Sequence, residues 1–308
     1  MSAAATLLHC CDPLDERRVD AHFAAEAQAA RACGATVVRL DHDALLGGDT
    51  ERAVARVPVG AGPLWYRGWM VPAERYAALD EALRARGGSL AVTPDEYRRA
   101  HELPGWYAAF AHLTPAGAWL PAAPGQPPTA DGLTALARRL PAGPGIVKDY
   151  VKSRKHEWDE ACFIPDLADA TALRRVVGRF VELQGDALAG GVVLRAFERF
   201  VTPPDGAAAE VRIWWSGGEP RLLTAHPDSP TGRLPAAEAL ASGLGPVRDA
   251  VRELGCRFVT TDLALREDGV WRVVEVGDGQ VSDLHKDVDL PVFAGLLTDL
   301  RHLVQLAR

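Results

Sequence analysis

Apolar runs divide residues 1–92 into alternating strands and helices. Continuous runs at 6–11, 36–40 and 63–68 predict buried strands, and apolar positions at helical spacing predict helices over 19–33 and 72–88. A further short run, SLAVTP, is predicted to be a fourth strand. Because strands and helices alternate at this spacing, we expect βαβ units and a parallel sheet. The loop after the first strand, CDPLDERR, lacks the glycine pattern of a dinucleotide site.

From residue 93 onward, the pattern changes to strands joined as hairpins, with helices between them. Thr93 followed by Pro-Asp-Glu predicts the start of a helix, and IVKDYV and GGVVLRAF predict strands. Hairpins are predicted from AEVRIWWSGGEPRLLTAHP and from FVTTDLALREDGVWRVVEV, whose Asp268-Gly269 pair is a strong turn signal. Helices are predicted from ADATALRRVVGRFVEL, PAAEALASGLGPVRDAVRELG and LPVFAGLLTDLRHLVQL. The Pro- and Gly-rich stretch 115–145 predicts a surface connection around one helix.

Length and composition set limits on the class of protein. The 308 residues suffice for two domains, so we expect one α/β domain over residues 1–92 and a second, larger one over 93–308. The hydrophobic fraction of 48% is that of ordinary globular proteins, and no apolar run is long enough to span a membrane. The net charge of −7 argues against non-specific binding of nucleic acid. Five scattered cysteines without a C-x-x-C pattern favour neither a zinc site nor a disulfide framework, and we expect a reducing, cytoplasmic location.

The second predicted hairpin carries one acidic residue within each apolar strand. These residues are Asp262 and Glu275, and Asp278 follows in a Gly-Asp-Gly turn. Burying a carboxylate in a strand is costly unless the carboxylate is paired or bound to a cation. Paired strands bring such residues side by side, where they could share one Mg²⁺ ion with nucleotide phosphates. The alternative, which is the commoner arrangement for acidic residues in strands, is that both carboxylates point to solvent.

A dense group of basic residues follows the predicted strand IVKDYV. Lys148 lies within this strand. The loop after it holds four further basic or chargeable residues: Lys152, Arg154, Lys155 and His156. In a chain of net negative charge, the group indicates a local anion-binding site, and the alternative is a solvated basic loop. The neighbouring Trp158 either stacks on a ligand or packs within the protein, as most tryptophans do.

The order of these features resembles a known family. A cationic strand, an apolar strand with a hinge, an arginine-bearing hairpin, and then Asp and Glu on consecutive strands are similar to the ATP-grasp superfamily, which includes glutathione synthetase and D-alanine–D-alanine ligase. The segments KDYVKSRKHEW, VVLRAF, AEVRIWW and VVEVGDGQVSDL look like a bacterial and phage clade in which an arginine replaces the first ATP-binding lysine. The resemblance extends from Thr93 to Leu284. It implies an ATP-grasp fold of two subdomains that enclose ATP, preceded by a Rossmann-like pre-ATP-grasp domain.

The resemblance implies roles for residues at the family's nucleotide-binding positions. Lys148 matches the lysine that reaches the phosphates and the adenine edge. Arg98, or Arg99 in the alternative register, matches the arginine that replaces the earlier lysine. Ala196 stands where the hinge often has an acidic residue, so adenine recognition would depend on backbone groups. The hinge residues with this expected role are Ala196, Phe197 and Glu198.

The resemblance also implies a metal site and a phosphate-facing arginine. Asp262 and Glu275 match the Mg²⁺ ligands, and Arg212 matches the hairpin arginine that faces the γ-phosphate. Many members of the superfamily have an Asn two residues after the glutamate. Here that position is Gly277, so Asp278 or a water molecule would complete the metal shell.

The function implied by the resemblance is an ATP-dependent carboxylate–amine ligase that uses Mg²⁺, forms an acylphosphate and releases ADP. Its other substrates would be small-molecule or peptide carboxylates and amines. Phosphoryl transfer requires mainly positioning and charge neutralisation, and Arg212, Lys152 and Lys155 would hold the γ-phosphate or the acceptor carboxylate. Two alternatives remain open, namely a phosphotransferase that stops at a phosphorylated product and a non-catalytic nucleotide-binding protein.

Overall fold

The computed structural model describes residues 5–201 and 206–299, in which helices flank three separate sheets. The strands are Thr6–Cys10 (β1), Thr36–Leu40 (β2), Leu64–Arg67 (β3), Gly117–Pro121 (β4), Gly145–Lys148 (β5), Phe163–Ile164 (β6), Gly191–Ala196 (β7), Glu210–Ser216 (β8), Glu219–Ala225 (β9), Phe258–Leu265 (β10) and Trp271–Asp278 (β11). The α-helices are Ala24–Ala32 (α1), His42–Gly47 (α2), Thr50–Val54 (α3), Ala73–Ala85 (α4), Pro94–His101 (α5), Leu103–Phe110 (α6), Ala130–Ala137 (α7), Ala170–Gln184 (α8), Ala237–Leu254 (α9) and Leu290–Asp299 (α10). This mixture of helices and strands confirms the expected α/β (α+β) class.

The N-terminal sheet is parallel, with the strand order β2-β1-β3 that alternating strands and helices predict. The predicted fourth strand, SLAVTP, is wrong, because this segment makes only an isolated bridge between Leu90 and Leu64. The chain has no length left for a ladder there, since Thr93 already caps α5 and Pro94 begins it.

Two other predicted elements differ from the observed ones. The helix predicted over 19–33 begins only at Ala24, because a turn in which Asp20 accepts two backbone N–H groups occupies the residues before it. The stretch 115–145, predicted to be a connection around one helix, also contains β4. This strand lies at the edge of its sheet, where a proline such as Pro121 removes no required hydrogen bond.

The other two sheets are antiparallel. The second sheet has the order β4-β7-β5-β6, and α7 and α8 pack on its outer face around Val147 and Phe180. The third sheet has the order β11-β10-β8-β9. Because successive strand residues face opposite sides, Trp215 packs in the core with α6 and α9, whereas Trp214 packs with the N-terminal sheet and Phe293 of α10.

A buried polar network joins the N-terminal sheet to the third sheet. The guanidinium of Arg67 pairs with Glu26 at 2.7 Å and also donates to the carbonyl oxygens of Gln280 and Ser282. The side-chain oxygen of Gln280 accepts the N–H of Tyr66 on β3 at 3.0 Å. These bonds fix the segment after β11 against the N-terminal sheet.

Three further expectations concern the chain as a whole. The predicted boundary between residues 92 and 93 falls between the N-terminal sheet and α5, and it stays a prediction. Residues 300–306 of the predicted C-terminal helix lie outside the described residues, and α10 covers its first part. Of the helices in the described ranges, none is long and apolar enough to cross a bilayer. All five cysteines are free thiols.

Candidate active site

Polar side chains from the two antiparallel sheets converge on a cavity of about 430 Å³. Its walls come from the loop after β5, from β8, β10 and β11, from the residues after β9 and from the end of α5. The lining includes eight of the charged or chargeable residues that the sequence singled out: Lys148, Lys152, Lys155, His156, Arg212, Asp262, Glu275 and Asp278.

The β10–β11 hairpin places its two acidic residues side by side. Asp262 and Glu275 are direct cross-strand partners, so their side chains leave the sheet on the same face. Gly269 closes the turn with φ +83°, a conformation that glycine adopts without strain. The side chain of Asp262 is 3% exposed and that of Glu275 is 40% exposed. The alternative in which both carboxylates point to solvent therefore fails for Asp262.

Arg212 neutralises Asp262 from the neighbouring strand β8, where the two residues are register partners. Its Nε and Nη2 donate to the two carboxylate oxygens of Asp262, each at 2.8 Å, and its Nη1 donates to the carbonyl of Asp283 at 2.9 Å. A bidentate pair of this kind fixes the plane of the guanidinium. Arg212 thus lies beside the acid pair and lines the cavity.

Lys148 brings a buried ammonium group from the second sheet to Glu275, with Nζ 3.6 Å from Oε1. Burial lowers the pKa of Lys148, and Glu275 opposes this effect. Burial also disfavours the charged form of Glu275, but Lys148, Lys155 and Arg212 outweigh it and hold the pKa of Glu275 below its usual value. The cavity therefore presents ionised groups of both signs at neutral pH.

The turn after β5 is built around the carboxylate of Asp149. One oxygen accepts the backbone N–H groups of Val151 and Lys152 at 2.7 and 2.5 Å, and the other accepts the side-chain amide of Gln184 at 2.6 Å. These bonds attach the start of the basic loop to the end of α8.

The structure divides the basic cluster that was predicted to hold anions. Three members line the cavity: Lys152, Lys155 and His156. Arg154 instead pairs with Glu157 at 2.7 Å and donates to the side chain of Gln184 at 3.2 Å. Burial disfavours the charged form of Lys155, but carboxylates, foremost that of Glu210, outweigh it and raise the pKa of Lys155. This lysine is therefore a firmly charged donor at the cavity wall.

Trp158 packs against other aromatic side chains. Its ring stacks on Phe163 with centroids 5.3 Å apart and planes at 14°, and it meets Phe197 edge-on at 5.9 Å. Trp158 is not among the residues that line the cavity. This geometry favours the packing interpretation over ligand stacking.

The hinge between the second and third sheets is held by contacts within the protein. The N–H groups of Ala196 and Phe197 donate to backbone carbonyls at 2.8 and 2.9 Å. The carboxylate of Glu198 pairs with Arg272 and Arg266 at 3.0 and 3.4 Å. Recognition of adenine by this segment stays a prediction.

Arg195, directly before the hinge, is a buried link between the sheets that sequence reasoning did not assign a role. Its Nη1 donates to the carbonyl of Val274 and its Nη2 to the hydroxyl of Thr114, both at 2.7 Å. Burial lowers the pKa of Arg195 to about 10, and nearby Glu275 opposes the shift. Because Val274 directly precedes Glu275, this link positions the strand segment that carries the acid.

Helix α5 does not bring either candidate arginine to the cavity. Arg98 is half exposed and pairs with Glu74 at 2.7 Å, and Arg99 donates to the last carbonyl of α9 at 3.1 Å. The residue of this helix that lines the cavity is His101, which stacks on Tyr97 at 4.9 Å. Burial lowers the pKa of His101 to about 4, so its ring is neutral at physiological pH. The nucleotide contact expected of Arg98 stays a prediction that this conformation does not support.

The structure does not group Asp278 with the acid pair. Its Oδ1 accepts the backbone and side-chain N–H groups of Gln280 at 2.9 and 3.1 Å, and Gln280 also donates to Tyr76. Within the described part of the chain, Oδ2 of Asp278 has no hydrogen-bond partner. Burial raises the pKa of Asp278 to about 7. The Gly-Asp-Gly-Gln segment thus contacts the N-terminal domain, and metal binding by Asp278 stays a prediction without support from this geometry.

His226, directly after β9, also lines the cavity and was missed by sequence reasoning. Its Nε2 lies 3.8 Å from Oδ2 of Asp262, and its side chain is 14% exposed. The sequence signal was weak, because a single histidine after a strand has many ordinary explanations.

The acid pair fits a Mg²⁺ ion that is shared with a phosphate-bearing ligand. Among residues 5–201 and 206–299, no three His, Cys, Asp or Glu side chains come close enough to hold a metal by themselves. Asp262 and Glu275 supply two carboxylates, and Mg²⁺ is typically held by one or two carboxylates together with substrate phosphates and water. These two residues would therefore hold a metal ion that enters with a nucleotide.

Solved structures share the fold of this chain. D-cycloserine synthetase DcsG aligns with a TM-score of 0.58 at 19% identity, over 96% of this chain and 100% of that chain. The ATP-grasp ligase PsnB, complexed with minimal precursor, Mg and ADP, aligns with a TM-score of 0.55 at 12% identity, over 97% and 98%. D-alanine–D-alanine ligase from Bacillus anthracis, complexed with ATP, aligns with a TM-score of 0.58 at 12% identity, over 99% and 98%. No curated protein sequence matches the chain.

A family model described as an ATP-grasp domain, the third family of its clade, matches residues 136–300, which is more than half of the chain. The matched range includes Lys148, Arg212, Asp262 and Glu275, the four residues that meet around the cavity. The match confirms the resemblance seen in the sequence, apart from the arginine that replaces a lysine, on which it is silent. The chain belongs to this family of ATP-grasp domains.

Proposed function

We propose that this protein is an ATP-dependent carboxylate–amine ligase that releases ADP and phosphate. The observation that carries the proposal is the cross-strand pair Asp262 and Glu275, flanked by Arg212 on one side and Lys148 on the other. Family membership and the folds of known ATP-grasp ligases support it.

The residues around the acid pair suit a nucleotide triphosphate. Lys148 would bind phosphate oxygens from the second sheet, and Arg212 would bind the γ-phosphate from the third. Mg²⁺, held by Asp262 and Glu275, would neutralise charge on the phosphate oxygens during transfer. Lys155 adds a third cation at the wall formed by the basic loop.

The proposed reaction has two steps and needs no nucleophilic side chain. In the first, an oxygen of the acceptor carboxylate forms a bond to the γ-phosphorus while the bond to the bridging oxygen breaks, and ADP leaves with the electron pair. In the second, the amine nitrogen bonds to the acyl carbon, phosphate leaves with its oxygen, and the nitrogen loses a proton to phosphate or water. Fixed donors such as Lys155 and Arg212 would stabilise the charge that develops on oxygen.

The test is a screen for ADP release from MgATP against pools of L- and D-amino acids and dipeptides, followed by mass spectrometry of the products. We expect ADP release that depends on both an acid and an amine, with an amide as the product. Lys148→Ala should abolish it, whereas Lys286→Ala, at an exposed lysine outside the cavity, should not.

Two outcomes would contradict the proposal. A stable phosphorylated product without an amide would indicate a phosphotransferase. Binding of ATP without turnover of any acid would indicate a nucleotide-binding protein without catalysis.

A further inference from the structure

The third sheet arranges polar side chains in a row across its four strands. Glu275 on β11 pairs with Asp262 on β10, Asp262 pairs with Arg212 on β8, and Arg212 pairs with Thr224 on β9. His226 follows Thr224 by two residues, and its N–H continues the ladder by donating to the first carbonyl of β8 at 3.1 Å. Because paired residues share a face, as do residues two apart on a strand, His226 lies on the face that carries the row.

This row has a direction. Lys148 contacts Glu275 at one end, whereas His226 stands beyond Arg212 at the other. Adjacent strands lie about 4.8 Å apart, so the row from β11 to β9 spans about 14 Å. A triphosphate that begins near Lys148 would therefore end at Arg212. Since the attacking and leaving oxygens of a phosphoryl transfer lie roughly in line, the acceptor must approach from the side of His226.

Hydrogen bonding fixes the tautomer of His226. The N–H of Asp228 donates to Nδ1 at 3.2 Å, so Nδ1 is an acceptor and the proton of the neutral ring is on Nε2. The separation of 3.8 Å from Asp262 is too long for a hydrogen bond. Among the residues that the structure describes, Nε2 has no other acceptor. The cavity wall thus carries an N–H donor that the protein itself does not use.

Other donors lie near the same end of the cavity. Lys155 reaches it from the basic loop, and the carboxylates that raise the pKa of Lys155 include Asp262 and Asp228, which flank His226 on either side. Arg212 lies next to His226 across the strand pair. Three N–H donors without a full set of protein acceptors suit a carboxylate ligand.

We propose that His226 binds the acceptor carboxylate, so that the substrate acid lies at the β9 end of the row with its carboxylate between Arg212 and His226. This inference rests on the proposed ligase function. The Nε2–H group donates to the carboxylate oxygen that is not phosphorylated. That oxygen becomes the carbonyl oxygen of the acylphosphate and gains negative charge when the amine adds. The proton stays on Nε2, so His226 acts as a hydrogen-bond donor throughout.

The test compares His226→Ala and His226→Gln with His112→Ala, an exposed histidine outside the cavity. The probe is the amino acid that gives the fastest ADP release in the screen above. We expect His226→Ala to raise the KM for this acid about tenfold or more and to leave the KM for MgATP within about twofold. His226→Gln keeps an N–H donor and should recover part of the loss, and His112→Ala should behave as wild type.

Two results would overturn the inference while leaving the ligase function in place. One is an unchanged KM for the acid in His226→Ala, and the other is a parallel rise in both KM values. If the wild-type protein releases no ADP with any acid, the ligase proposal itself fails and this inference fails with it.

A second readout does not depend on activity. The ¹⁵N signals of the His226 ring can be assigned by their absence in His226→Gln. We expect the Nε2–H tautomer in the free protein and a shift of the Nε2 signal when the probe acid is added with Mg²⁺ and a non-hydrolysable ATP analogue. A protonated Nδ1, or no shift at saturating acid, would contradict the assignment.

Discussion

Replacing Asp278 by Asn should stabilise the protein at pH 8 and have little effect at pH 4. In the folded protein, Oδ1 keeps its two bonds from Gln280, and a neutral amide replaces the oxygen that has no partner. Burial raises the pKa of Asp278 from the ordinary value of 3.8 to about 7. Below pH 4 the carboxyl is protonated in both the folded and the unfolded state, so it contributes no pH-dependent difference there.

Between pH 4 and 7 the unfolded chain releases this proton while the folded protein keeps it, so stability falls as the pH rises. Each pKa unit corresponds to 1.36 kcal/mol, and the full shift therefore costs the wild type about 4 kcal/mol above pH 7. Local relaxation reduces this figure, and we expect a gain of about 2–4 kcal/mol for Asp278→Asn at pH 8. Burial also depresses the pKa of His9 to about 3 and that of His101 to about 4, but both proteins share these groups and the comparison cancels them.

The assay is urea unfolding of wild type, Asp278→Asn and the exposed-site control Asp159→Asn at pH 4.5, 6 and 8. The difference between Asp278→Asn and wild type should grow with pH, while the control shows no such trend. A destabilised variant at pH 8, or a difference that does not change with pH, would refute the reasoning. Affinity for MgATP separates the two roles of this residue, because a metal ligand replaced by Asn would weaken binding and an interdomain contact would not.

Three further predictions test separate parts of the structure. Lys148→Ala should weaken ATP binding by about 2–5 kcal/mol in calorimetry and barely affect adenosine, and equal losses would make Lys148 structural. Trypsin should cut after Lys152 or Lys155 in the free protein and less when MgATP orders the loop, whereas equal resistance in both states would exclude a lid. Glu26→Gln should destabilise the protein by about 3–5 kcal/mol, because it leaves a buried arginine unpaired, and a loss below about 1 kcal/mol would contradict that pairing.

Elements with a clear local period were predictable from the sequence. The β10–β11 hairpin follows from two β-type runs around Asp268-Gly269, and its register then places Asp262 opposite Glu275. SLAVTP and β4 were predicted wrongly, because pairing there depends on distant strands rather than on local pattern. Leu90 is buried but has no ladder, and β4 pairs with β7 across more than seventy residues of chain.

The candidate site was predictable where its residues lie within strands. Lys148, Arg212 and Glu275 point into the cavity because the alternation of strand residues fixes their direction. Direction was not predictable on α5, where Arg98 and His101 differ by less than one turn and only the packing of Tyr97 decides which side chain faces inward. His226 lies after a strand end, and its place depends on a sheet order that the sequence does not show.

If the acid pair binds MgATP for catalysis, Glu275→Gln is the variant that tests it most directly, since it keeps the size of the side chain and removes one carboxylate. The measurement is the rate of ADP release with MgATP and the best amino acid from the screen, alongside circular dichroism of both proteins. We expect the rate to fall about 100-fold or more with an unchanged spectrum. Wild-type turnover by a folded Glu275→Gln protein, with the same dependence on Mg²⁺, would contradict the assignment.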